Sequence, residues 1–152
     1  MANVGCHRTL TFTWRNNMQL SGGCLCGSVR YECSTQPVIE GNCHCRDCQK
    51  SSGSAFAPTF FVPENSISIK GEVKYFISKG GSGSDVSRGF CPNCGSQLFG
   101  RGAIPGLFAV RAGTLDKPSS FHPKVDIFTS QAAPWDFMDP SSTKFGEAPP
   151  HA

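Results

Sequence analysis

The sequence predicts a mainly β fold with many turns and short helical segments. Glycine (17) and proline (11) interrupt the 152 residues too often for long helices. Between these breaks, short runs alternate apolar and polar side chains with the period of a strand that buries one face. Seven of the nine cysteines fall into three tight clusters: Cys24 with Cys26; Cys43, Cys45 and Cys48; and Cys91 with Cys94. That density is hard to explain by packing, and the rest of the chain reads as the frame that brings the clusters together.

A chain of this length fits one domain, at roughly 150 residues per domain. Residues 1–17 read as an irregular leader, 18–139 as the zinc domain and 140–152, rich in Pro, Ser and Gly, as an irregular tail. The leader carries Arg8 and Arg15 and no acid, and it lacks the continuous apolar stretch of a secretion signal. It reads as sequence upstream of a start at Met18, as a disordered leader or as a weak strand over residues 10–14, and less favourably as an organellar transit peptide. Outside it, 12 basic residues stand against 11 acidic ones, a near-balance that argues against a nucleic-acid footprint. No run of about 18 apolar residues is present, so no transmembrane helix is expected. Nine cysteines without a secretion signal point to a reducing compartment, the cytoplasm, where thiols bind metal more often than they pair.

Taken in order, Cys24-Leu25-Cys26-Gly27 predicts a tight turn flanked by glycine, in which two thiolates can face one ion. Residues 28–33 alternate strictly, with Val29, Tyr31 and Cys33 on one face, and predict a strand in which Cys33 is a small buried hydrophobe. Cys6 receives no role. After the break at Gln36-Pro37, residues 46–51 suit about one helical turn ended by Gly53. Strands follow over residues 55–62, 66–70, 73–78, 85–90, 96–100 and 107–112. Residues 80–84 form a hairpin tip and residues 102–106 a turn.

Cys91-Pro92-Asn93-Cys94 has the spacing at which two sulfurs approach a tetrahedral ion at about 2.3 Å. Cys24 and Cys26 are the economical partners, giving a closed four-cysteine site that stabilises the fold directly. A redox dithiol at Cys91 and Cys94 lacks the surrounding βαβ pattern. Cys43, Cys45 and Cys48 remain. Three protein ligands with an open fourth position describe a catalytic zinc; the alternative is a second structural site completed by His44 or His122. His44 is disfavoured, because the middle side chain of C-x-C usually points away from the ion. Three thiolates make zinc a poorer Lewis acid than three histidines do, so the site suits an incoming thiol better than hydrolysis.

Residues 22–31 (Gly-Gly-Cys-Leu-Cys-Gly-Ser-Val-Arg-Tyr), 43–50 (Cys-His-Cys-Arg-Asp-Cys-Gln-Lys) and 90–96 (Phe-Cys-Pro-Asn-Cys-Gly-Ser) resemble the three ordered signature blocks of the glutathione-dependent formaldehyde-activating enzyme (GFA) family, whose members include centromere protein V. The resemblance spans residues 18–139. It implies a β-tent fold of stacked antiparallel sheets, stabilised by zinc, with two zinc ions per chain, one structural at Cys24, Cys26, Cys91 and Cys94 and one of catalytic type at Cys43, Cys45 and Cys48. It also implies a carbon-sulfur lyase that adds glutathione, or a similar thiol, reversibly to formaldehyde. Residues 125–130 and Pro134-Trp135 resemble the family's closing strand and its Pro-Trp element, where relatives often carry histidine in place of Asp126. Trp135 is expected in the core. Arg46, Lys50 and Arg88 are the basic residues nearest the clusters in sequence, and the first candidates to anchor glutathione's carboxylates. The rival reading is a binding module with both metals structural and no catalysis.

Overall fold

The computed structural model describes residues 19–81 and 83–150. The leader's possible strand over residues 10–14, and Cys6, lie outside the described residues. Eleven strands and one α-helix alternate with short 3-10 turns among the described residues. A small antiparallel sheet has the order β1 (Leu20–Gly23), β2 (Arg30–Cys33), β5 (Ile67–Lys70). A larger sheet begins with β11 (Thr143–Lys144), β10 (Val125–Ile127), β3 (Ile39–Cys43) and β4 (Ala57–Pro63). It continues with β9 (Leu107–Arg111), β8 (Gln97–Arg101), β7 (Asp85–Phe90) and β6 (Lys74–Lys79).

The alternation of β2 is that of a half-buried strand: Tyr31 and Cys33 point in, while Arg30 and Glu32 point out. Burial holds the Cys33 thiol up at about 11, as suits a core residue. Between the sheets the core joins Leu20, Tyr31 and Cys33 to Phe60, Phe99 and Phe108. Tyr31 meets Phe99 edge-on at 5.6 Å, and Phe99 meets Phe108 at 5.3 Å, geometries that add to the burial of the rings. Cys24 and Cys91 belong to this same core cluster. The four-cysteine group therefore sits where the small sheet meets the β7–β8 end of the large one.

Four features depart from the sequence expectation. First, β1 and β3 are strands where the sequence reading assigns no element. Residues 39–43 contain Glu40, Gly41 and Asn42, poor strand formers, but β4 pairs along one edge and β10 along the other. At Gly41 a Cβ would stand 2.5 Å from Val125 Cγ2 and 2.6 Å from the Val125 carbonyl oxygen, so glycine is what lets β10 come alongside. Second, β10 pairs in parallel with both β3 and β11, so the large sheet is not wholly antiparallel. Third, the tail is not irregular throughout. Thr143–Lys144 form β11, and Phe145 N donates to Asp126 O at 2.9 Å, Thr129 N to Phe145 O at 3.0 Å and Ser130 N to Gly146 O at 3.1 Å. Backbone pairing holds this segment where composition offered no signal. Fourth, Trp135 is 72% exposed rather than in the core. Residues 133–136 turn, with Asp136 N donating to Ala133 O, and it is the Asp136 side chain that points inward, 2% exposed.

Among the described residues, no helix is long and apolar enough to cross a membrane.

Candidate metal centres

The first cluster is assembled by two turns. In one, Cys24 N donates to Val29 O at 3.0 Å and Gly27 N to Cys24 O at 3.1 Å; in the other, Cys91 N donates to Ser96 O at 3.0 Å and Gly95 N to Cys91 O at 2.9 Å. Leu25 N donates to Ser96 Oγ at 3.0 Å, tying the two turns together. As a result Cys24, Cys26, Cys91 and Cys94 each offer a sulfur within 4.8 Å of the others. Cys24 Sγ lies 3.5 Å from Cys26 Sγ, which lies 3.7 Å from Cys91 Sγ. These cysteines are free rather than bridged. Backbone amides and hydroxyls face the sulfurs: Val29 N donates to Cys24 Sγ at 3.2 Å, and the Ser28 and Ser96 hydroxyls stand 3.2 Å from Cys26 Sγ and Cys94 Sγ. The bond with Ser28 leads in drawing Cys26 down to about 5, and that with Ser96 in drawing Cys94 down to about 7. Thiolate at these sulfurs is the state that ligates a cation.

The second cluster is built around the end of β3. Cys43 closes that strand, paired with Ala57 of β4 and Ile127 of β10. Cys45 is the N-cap of α1 (Arg46–Ser52), its sulfur accepting from Cys48 N at 3.4 Å, and Cys48 lies in the first turn of the helix. Gly53 ends α1 in the left-handed conformation (φ 67°), which only glycine adopts without strain. The sulfurs of Cys43, Cys45 and Cys48 lie within 4.8 Å of one another, all three residues are half-buried, and among the described residues no fourth His, Cys, Asp or Glu joins them. Hydrogen bonds from Cys43 and Cys45 lead in pulling the Cys48 thiol down to about 2, helped by the nearby charge of Arg111, while Cys43, hydrogen-bonded to both neighbours, is pushed well up. Three sulfurs held this close repel one another when ionised, and a shared cation would relieve that repulsion.

Both groups therefore can hold a metal ion. Their chemistry, all soft sulfur with two or fewer residues between paired ligands, fits zinc. His44, although between two of these cysteines, turns away from them. It is 1% exposed, with Nε2 at 3.0 Å from Asp126 Oδ1 and Nδ1 at 2.6 Å from Asp136 Oδ2. The second contact is close but out of line for a hydrogen bond. Phe56 packs on the imidazole at 5.2 Å. Asp126 is itself almost fully buried. Burial works to raise its pKa, but bonds with His44, Ser142 and Asn42 outweigh that and hold it below its ordinary 3.8. His122, the other histidine considered, is exposed and outside the trio.

Of the basic residues nearest in sequence, Arg88 is engaged by Ser78 and Asp47, Arg46 by Gln49, and Lys50 is exposed. The cation that reaches the trio is Arg111, from β9, which donates to Thr59 Oγ1 at 3.0 Å and interacts with Cys48. Neither Arg111 nor Asp136 carries any local signal. Arg111 is brought to the site by the β4–β9 pairing, in which it faces Thr59.

A sequence profile of the family described as "Glutathione-dependent formaldehyde-activating enzyme" matches residues 19–131. A Penicillium rubens protein named "Putative glutathione-dependent formaldehyde-activating enzyme" is 32% identical over 80 residues. The match covers 51% of this chain but only 41% of that protein's length. A crystal structure of a Rhodobacter sphaeroides protein is similar at a TM-score of 0.48 and 20% identity, over 63% of this chain and 87% of that one. With three-quarters of its length matched in one continuous span, the chain belongs to the glutathione-dependent formaldehyde-activating enzyme family.

Proposed function

We propose that the chain is a zinc-dependent carbon-sulfur lyase of the family's type, which adds a thiol, glutathione or a similar one, reversibly to a small aldehyde. The observation that carries this reading is the inequality of the two sulfur groups. One is complete with four sulfurs and tied into the core; the other has three and, among the described residues, no fourth ligand. In this reading Cys24, Cys26, Cys91 and Cys94 hold a structural zinc, and Cys43, Cys45 and Cys48 hold a second zinc of catalytic type. A zinc ion held by three thiolates supplies a positive centre that favours the ionised form of an incoming thiol.

In the reaction the thiol sulfur bonds to the carbonyl carbon. The carbonyl π bond breaks toward oxygen, and the proton lost by sulfur ends on that oxygen, giving an S-hydroxyalkyl adduct. The reverse step releases both reactants. What the chain contributes is a fixed, half-buried sulfur trio and, next to Cys48, the Arg111 guanidinium, oriented by Thr59. That cation is placed to receive a carboxylate of glutathione, or to offset charge on the ligating sulfurs. A reducing compartment such as the cytoplasm keeps all seven thiols available.

Elemental analysis of the purified protein should find two zinc ions per chain. Cys45→Ser should lose one ion, stay folded and lose glutathione-dependent consumption of formaldehyde, whereas Cys91→Ser should unfold or aggregate. Equal damage from both substitutions would count against the division into a structural and a catalytic-type site. Full retention of turnover in Cys45→Ser would sink the enzymatic reading.

A further inference from the structure

His44 is the least exposed charged or polar residue of the second cluster's loop, yet it is not among that cluster's ligands. Its side chain is gripped from two parts of the chain, by Asp126 on β10 at 3.0 Å and by Asp136 in the segment beyond β10 at 2.6 Å. Its backbone is held as well: His44 N donates to Ile127 O at 2.9 Å, and His44 O accepts from Gln49 Nε2 at 2.5 Å. The aromatic neighbours of Asp136 do not hold it inward, since Trp135 and Phe137 are 72% and 89% exposed. A buried polar contact at such a place costs desolvation on both sides, and nothing in the packing of the aromatic neighbours explains why it is kept.

We propose that His44 is the positioning residue of the three-cysteine site: clamped between Asp126 and Asp136, its side chain fixes the backbone between Cys43 and Cys45 so that both sulfurs face the place that Cys48 also faces. The physical reason is local. In C-x-C the two sulfurs can share an ion only if the intervening residue turns to the other side, and a buried clamp on that residue removes the alternatives before any ion arrives. Asp136 thereby links the order of the segment around Trp135 to the order of the trio.

This inference rests on the reading that the trio holds a metal, and the experiment separates the two. Zinc is titrated against a chromophoric chelator, and the absorption of the cobalt-substituted protein is recorded, for the full chain and for His44→Ala, His44→Gln, Asp136→Ala and Asp136→Asn. In the wild type two ions should bind. In His44→Ala and Asp136→Ala the weaker ion should lose about 10- to 100-fold in affinity, with the four-thiolate cobalt spectrum unchanged. His44→Gln, which keeps a hydrogen-bonding group facing Asp126, and Asp136→Asn, which keeps the shape of the buried side chain, should restore part of that loss. A merely structural role would weaken both ions and the thermal midpoint together, and that result overturns the proposal. Unchanged affinity for both ions in His44→Ala and Asp136→Ala overturns it too. Should His44→Ala fail to fold, Asp136→Ala decides alone, because Asp136 lies in a surface segment outside the core cluster. A wild type that binds one ion shows instead that the trio reading is wrong, and the inference falls with it.

Discussion

At the scale of single residues, the structure places chemistry in contacts that short-range sequence does not announce. Asp126 receives His44, Asn42 and Ser142 while nearly fully buried. Its pKa is lower folded than unfolded, so the stabilisation is present above about pH 3.8 and is lost as the pH falls through the folded value. Asp126→Asn keeps the shape and removes the charge. Near neutral pH it should cost about 1.5–3 kcal/mol, the range for hydrogen bonds to a charged group. The difference in thermal midpoint from wild type should shrink toward zero in acid, where the Asp126 carboxylate is protonated. A constant difference across pH would show that the carboxylate's charge is irrelevant. Gly41 makes a second residue-scale case. Gly41→Ala would drive a methyl group into Val125 at 2.5 Å, and overpacking of that kind typically costs about 1–3 kcal/mol. Because β3 runs directly into Cys43, the variant should also bind its weaker zinc less tightly, measured by chelator competition.

At the scale of elements, an aromatic column joins β2 of the small sheet to β8 and β9 of the large one. Tyr31, Phe99 and Phe108 are each at most 1% exposed and touch in sequence across the interface. Phe99→Ala should therefore destabilise by about 3–5 kcal/mol, read as a shift in the denaturant midpoint with the slope unchanged. The loss should be larger in zinc-free protein as a fraction of what remains, since the four-cysteine site then no longer ties the same sheets together. The elements β2, α1 and β4 through β9 follow from period-two alternation, from the Gly53 stop and from the glycine turns. β1 and β3 do not. Their composition is that of turns, and they are strands because neighbouring strands pair with them along their length.

Over the whole molecule, the C-terminal segment completes the large sheet at its β10 edge. β11 pairs with β10, and residues 145–147 accept or donate backbone bonds to residues 126, 128, 129 and 130. That stretch includes Phe128, whose φ of 56° is costly for a residue other than glycine and is held by these bonds. A chain ending at Asp139 should lower the thermal midpoint by several degrees and reduce zinc at the trio before zinc at the four-cysteine site. Unaltered stability and metal content would mean that the segment merely lies along the edge. A tail of Pro, Ser and Gly carries no periodicity from which this docking could be read.

What the sequence by itself determined is the predominance of β structure and the grouping of seven sulfurs into four and three. Both rest on patterns a few residues long, strand alternation and thiol spacing, which survive in any fold that satisfies them. Tertiary structure alone decided that β10 lies parallel to β3, that Arg111 rather than a nearer cation reaches Cys48, and that His44 is clamped by an acid 82 residues away. Those contacts are set by register between strands remote in sequence, where a shift of one residue would turn each side chain to the opposite face.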